Sequence, residues 1–216
     1  NVDNSVGFYA YNGTVISNTG SLKINGDNNL GIFSTENPAR TQIGTVNLES
    51  GNIELNGKNG ALFYTYAGFV ELGSLGNTIN AKVNGENSYL IYEDSNFSND
   101  NGKYTINGDV NAEVTNGAIG FLYRDPFGDP TLGLTTYLDK IIDINNGVLN
   151  INIDSDAYLL AATNSTLNLS SFDNIQLTGM NLTGSKKTKL SYVTLNVDID
   201  SNLDVSNNTG NKLYRD

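Results

Sequence analysis

Ile53-Glu54-Leu55-Asn56-Gly57-Lys58-Asn59 alternates apolar and charged residues and then turns on Asn-Gly. Leu22-Lys23-Ile24-Asn25-Gly26-Asp27-Asn28 and Ala81-Lys82-Val83-Asn84-Gly85-Glu86-Asn87 match it position by position. A second apolar burst follows each: Leu30-Gly31-Ile32-Phe33, Ala61-Leu62-Phe63-Tyr64 and Tyr89-Leu90-Ile91-Tyr92. The two-part unit is a repeat of solenoid length, in which one supersecondary unit buries its apolar face by stacking on the next.

Looser copies extend the array. Asn4 precedes Val6-Gly7-Phe8-Tyr9, Asn116 precedes Ala118-Ile119-Gly120-Phe121, and Asp156 precedes Tyr158-Leu159-Leu160-Ala161. With positions 4, 28, 59, 87, 116 and 156 as markers, the intervals are 24, 31, 28, 29 and 40 residues. Weaker units follow around Leu190 and at Leu213-Tyr214. Inside a unit the period is two, as in Leu149-Asn150-Ile151-Asn152-Ile153, which marks strands. Helical repeats need apolar spacings of three and four; only Leu134 to Ile142 comes near that pattern.

Asn-Gly is also a hairpin signal, so an antiparallel meander competes. After a hairpin turn, alternation should resume at once, whereas here a nearly continuous apolar burst follows. That favours a corner within a coil. The expectation is an all-β, right-handed parallel β-helix of about six to eight irregular coils, with equivalent strands stacked about 4.8 Å apart. Residues 1–216 are expected to form a single segment, interrupted by an insertion loop at 124–140. Asparagine tolerates the left-handed backbone of such corners, and its amide can bond to the next coil. Asn4, Asn28, Asn59, Asn87 and Asn116 are therefore expected to form a structural ladder. Tyr9, Phe33, Tyr64, Tyr92 and Phe121 are expected to stack likewise.

Composition narrows the function. The chain has 216 residues, 38% hydrophobic, and contains no histidine, cysteine or tryptophan. Most hydrolase triads and thiolate metal sites are thereby excluded. With 23 acidic against 12 basic residues the net charge is -11, which repels phosphate backbones and anionic lipid surfaces. Nucleic acid and membrane contact are not expected, nor is a cofactor. No run approaches the roughly 18 apolar residues of a membrane span, and Asn1 opens without a signal-peptide pattern, as expected of a piece of a longer protein.

Function in solenoids collects where the repeat is interrupted. The longest interval holds Arg124-Asp125-Pro126-Phe127-Gly128-Asp129-Pro130, stiffened by two Asp-Pro steps. Arg124, Asp125, Phe127 and Asp129 offer a charge fork, an apolar anchor and acceptors, and are the candidate ligand-binding residues. The competing reading is a flap, with the helix near Leu134, that covers exposed core. Asp94, Asn96, Asp100 and Asn101 carry oxygen ligands but lack the register of a calcium loop, so no metal site is expected. Asp125, Asp129 and Asp139, with Arg124 and Lys140, are concentrated in one insertion, whereas a glycosidase cleft draws on several coils. No catalytic residues are expected.

In its Asn-Gly corners, its lack of cysteine and bursts such as Ala61-Leu62-Phe63-Tyr64, the chain resembles the passenger regions of type V autotransporters, especially large fusobacterial outer-membrane adhesins. The resemblance covers essentially the whole chain and rests on texture and repeats. It implies a C-terminal outer-membrane barrel beyond this segment, display at the bacterial surface, and a host-cell surface protein or glycan as partner. A ligand-free spacer stalk and a β-helix polysaccharide lyase or glycosidase are the alternatives.

Overall fold

The computed structural model describes residues 2–18, 20–37, 39, 41–94, 103–123, 134–163, 165–168, 175, 177–197, 205–209 and 212–215. The chain winds through three strands per turn. The first coil is β1 (Val6–Tyr11), β2 (Thr14–Ser17) and β3 (Ser21–Asn25); the second is β4 (Leu30–Thr35), β5 (Thr45–Leu48) and β6 (Gly51–Asn56). The third is β7 (Ala61–Tyr66), β8 (Phe69–Leu72) and β9 (Thr78–Asn84); the fourth is β10 (Tyr89–Glu93), β11 (Lys103–Ile106) and β12 (Asp109–Thr115). The fifth inserts a helix: β13 (Ile119–Tyr123), α1 (Leu134–Ile141), β14 (Ile142–Ile144) and β15 (Leu149–Ile153). Then come β16 (Tyr158–Thr163), β17 (Thr166–Asn168), β18 (Met180–Gly184), β19 (Thr188–Ser191), β20 (Thr194–Val197), β21 (Val205–Thr209) and β22 (Lys212–Arg215).

Like strands lie on like strands. Sheet A runs β1-β4-β7-β10-β13-β16-β19-β21, sheet B β14-β11-β8-β5-β2, and sheet C β18-β15-β12-β9-β6-β3; β17-β20-β22 form a further small sheet. The pairings are parallel, as in Leu30↔Ala61 in sheet A and Ile53↔Ala81 in sheet C. The molecule is a parallel β-helix, and the meander is excluded.

Period-two alternation places one set of side chains inside. Ile53, Ala81, Ala112 and Ile151 form one inward column of sheet C, and Leu55, Val83, Val114 and Ile153 a second; all are buried. Ile32, Phe63, Ile91, Phe121 and Leu160 face them from sheet A. Burying each large aliphatic side chain is worth about 1.5–3 kcal/mol, so the stacked columns hold the coil closed.

Corners supply the rise. Asn4, Asn28, Asn59, Asn87 and Asn116 all take the left-handed backbone, with φ of 57°, 58°, 57°, 59° and 54°. Their inter-coil bonds run mainly through the backbone: the N–H of Asn28 donates to Lys58 O at 2.8 Å and that of Asn59 to Glu86 O at 3.1 Å. Gly57, φ 153°, lies so close under its neighbour that an added Cβ would sit 1.8 Å from the Gly26 carbonyl oxygen.

The aromatic column departs from expectation at its last member. Tyr9, Phe33 and Tyr64 stack face to face, with centroids 5.2 and 4.8 Å apart, and Tyr92 meets Tyr64 edge-on at 4.9 Å. Phe121 instead pairs in register with Ile91 and is buried in the core. The corner before it is one residue shorter: Thr115 pairs with Asn84 and Ile119 with Tyr89, so three residues stand where the preceding coil has four. Asn116 falls at the level of Gly85 rather than Asn87, and a count from it lands one residue off, on the opposite face.

The helix belongs to the core. Leu134, Tyr137, Leu138 and Ile141 of α1 are buried, and the Tyr137 hydroxyl donates to the Leu122 carbonyl at 3.1 Å. From sheet B, buried Tyr104 reaches across with its hydroxyl 2.8 Å from Tyr92 O and 3.1 Å from Phe63 O. Burial pushes its phenol well above the usual value, with Thr65 acting in the opposite sense.

Candidate functional site

Sheet C turns its polar residues outward, and parallel register sorts them into columns. One column reads Ser21, Asn52, Asn80, Asn111, Asn150, Asn181. Its carboxamides are linked: the Nδ2 of Asn80 donates to Asn52 Oδ1 at 2.9 Å, Asn111 to Asn80 at 3.5 Å, Asn150 to Asn111 at 2.9 Å, and Asn181 to Asn150 at 2.9 Å. Aligned amides polarise one another along such a chain.

Two residues along each strand is a second outward column: Lys23, Glu54, Lys82, Glu113, Asn152, Thr183. Its charges alternate in sign and pair. Lys23 Nζ lies 2.8 Å from Glu54 Oε2 and Lys82 Nζ 3.1 Å from Glu113 Oε2, while Thr183 Oγ1 donates to Asn152 Oδ1 at 3.1 Å. The Lys23 hydrogen bond is the main cause that holds the Glu54 carboxyl below its ordinary range, against a smaller opposing effect of burial. Being largely solvated, these pairs set the shape and charge of the face more than its stability.

Between the columns runs an open groove of about 660 Å³, floored by the strands at Ile53, Ala81, Ala112 and Ile151. It spans β6 to β18, four coil steps or about 19 Å at the usual strand spacing. A third column, Asn25, Asn56 and Asn84, stands beyond: Asn56 Nδ2 donates to Asn25 Oδ1 at 3.0 Å and Asn84 to Asn56 at 2.9 Å.

The carboxamide ladders are thus displaced from the corner asparagines. Of Asn4, Asn28, Asn59, Asn87 and Asn116, the side chains of Asn87 and Asn59 are linked at 3.4 Å, and Asn116 donates to Asn84. A left-handed corner commits the residue's backbone N–H to the next coil, whereas strand residues paired in parallel register set like side chains directly above one another.

Arg124, Asp125, Phe127 and Asp129 lie outside the described residues, as do Asn96, Asp100 and Asn101. Residues 134–140 of the insertion are helix with a buried face, so that half of it builds the core. On sheet A, Leu30, Ala61, Tyr64, Tyr89 and Tyr92 border a smaller hollow of about 170 Å³. The stacked ring faces of Phe33 and Tyr64 are occupied by each other. Lys187 Nζ donates to Ser155 O at 2.6 Å, and Lys189 Nζ sits 5.8 Å from the Tyr158 ring centroid. Among the described residues no group of three acidic side chains is placed to hold a metal ion.

No family model, curated protein or solved structure matches the chain.

Proposed function

We propose that this chain is a segment of a bacterial cell-surface rod, the passenger of a type V autotransporter, which binds host cells or neighbouring bacteria through its side. The observation that carries the reading is the sheet C groove, walled by carboxamides and paired charges along five successive strands. Long lateral surfaces are what solenoids offer to partners. The ladder alone would serve a ligand-free stalk too, by tying coil to coil; the open groove between two polar walls is what favours a contact face. A lyase or glycosidase needs carboxylates held free for proton transfer, and here Glu54 and Glu113 are each tied to a lysine. In this reading an outer-membrane barrel elsewhere in the protein anchors the rod.

The test is saturable binding of the labelled chain to epithelial cells and to bacterial cells, competed by unlabelled chain. A spacer shows none. An enzyme releases unsaturated or reducing sugar ends from polysaccharides. Arg124→Ala and Phe127→Ala, compared with substitutions in the groove, separate a loop contact from a sheet C contact.

A further inference from the structure

We propose that the sheet C groove binds a neutral, extended glycan chain lying along the rod axis, a reading that rests on the surface-binding role above and names its ligand class.

The hydrogen-bonding capacity of the wall comes first. A carboxamide has two N–H donors and two acceptor lone pairs. Asn80, Asn111 and Asn150, in the middle of the column, each spend one donor and one lone pair on their neighbours. Each rung therefore keeps one donor and one acceptor. A sugar hydroxyl is itself both, so a hydroxyl-rich chain satisfies the rung on both counts.

The repeat of the wall selects among polymers. Rungs recur at the coil rise, about 4.8 Å. A pyranose in an extended chain advances by nearly that length, so successive sugars meet successive rungs. An extended peptide presents like-facing groups every second residue, about 6.6 Å apart, and falls out of step after one or two rungs.

Charge selects neutrality. The opposite wall carries Glu54, whose charge Lys23 balances from β3 just beyond the groove, and Lys82 with Glu113, then uncharged Asn152 and Thr183. The chain as a whole bears -11, which opposes acidic polysaccharides and nucleic acids alike. The groove length of about 19 Å accommodates about four sugars at one per coil step.

The experiment titrates the intact chain with neutral oligomers of glucose, mannose, galactose and N-acetylglucosamine, two, four and six units long, while side-chain amide NMR signals are followed. Oligogalacturonates and an extended mixed-polarity peptide serve as comparators. The expected result is binding to at least one neutral series, tightening about ten-fold from two to four units and little beyond, with shifts at Asn80, Asn111 and Asn150. Asn150→Leu and the milder Asn111→Thr each weaken it about ten-fold in folded protein, and Tyr9→Ala on sheet A leaves it unchanged.

The inference is overturned if no neutral series binds, if affinity ignores length, if the shifts fall on sheet A, if both folded groove variants bind normally, or if the anionic oligomers or the peptide bind better. Saturable cell binding without oligosaccharide binding removes this inference and leaves the surface role standing. Oligosaccharide binding without cell binding does the reverse.

Discussion

The side-chain amide of Asn150 donates to Asn111 at 2.9 Å across 39 residues of sequence, the interval that contains the inserted helix. The ladder does not register the insertion, because α1 is accommodated between sheets A and B while β12 and β15 remain directly stacked.

Asn111 bonds on both sides, so Asn111→Ala should cost about 1–2 kcal/mol, one modest contribution for each lost link. The urea midpoint measures it. Ser21→Ala, at the end of the same column, should change stability by less than about 0.5 kcal/mol.

Gly57→Ala should destabilise by about 3–5 kcal/mol, since the new methyl group would meet the Gly26 carbonyl in a backbone conformation that L-residues avoid. Gly13→Ala, with open space around it, should be nearly silent. Thermal melting of the pair separates crowding from a generic loss of glycine.

Deleting Gly117 leaves two residues to span a corner that already has one fewer than the coil before, so β13 either slips one place, with Leu122 replacing Phe121 in the core column, or loses its pairing with β10. The expected outcome is loss of cooperative unfolding or a cost of about 3–5 kcal/mol, as for removal of a buried phenylalanine. Gly117→Asn, which keeps the residue count and tolerates a φ of 73°, should restore most of it. Denaturant titration distinguishes the two.

Glu54 is held below its ordinary pKa mainly by Lys23, so it adds stability at neutral pH that fades as the pH falls through the carboxylate range toward its folded value. Lys23→Met should flatten that part of the stability profile and return the Glu54 titration toward normal. Carboxyl NMR across acidic pH reads both.

Tyr104 behaves in the opposite sense. Its phenol is raised by burial, so its contribution is intact below the ordinary tyrosine value and is lost as the pH climbs above it. Tyr104→Phe should cost about 1–2 kcal/mol by leaving the Tyr92 and Phe63 carbonyls without their donor. Ultraviolet titration should show Tyr104→Phe removing one phenol from those that ionise only on unfolding.

Much of the architecture was legible because the Asn-Gly corners recur in front of apolar bursts and mark each turn of the coil. Strands of sheet B, such as Thr45–Leu48 and Phe69–Leu72, have no such marker and were not located. The groove was missed for a related reason. Asn52 and Asn80 stand one residue ahead of the repeated motif, and Asn111 and Asn150 lie in coils where the motif has decayed. Lys23, Glu54 and Lys82 align within the three matched segments, yet alternating sign becomes an ion pair only once the coils are stacked. Phe121 departs from the expected column because Asn116 stands at the level of Gly85 in a corner one residue shorter, so a fixed count from it ends on the wrong face.

Backbone hydrogen bonds between coils point along the rod, so tension applied end to end loads one coil boundary at a time. The rod should therefore unravel like thread from a spool, each yielding turn releasing some 24 to 39 residues of slack while those behind it stay wound. Such sacrificial turns would blunt a jolt before it reached the far end of the rod.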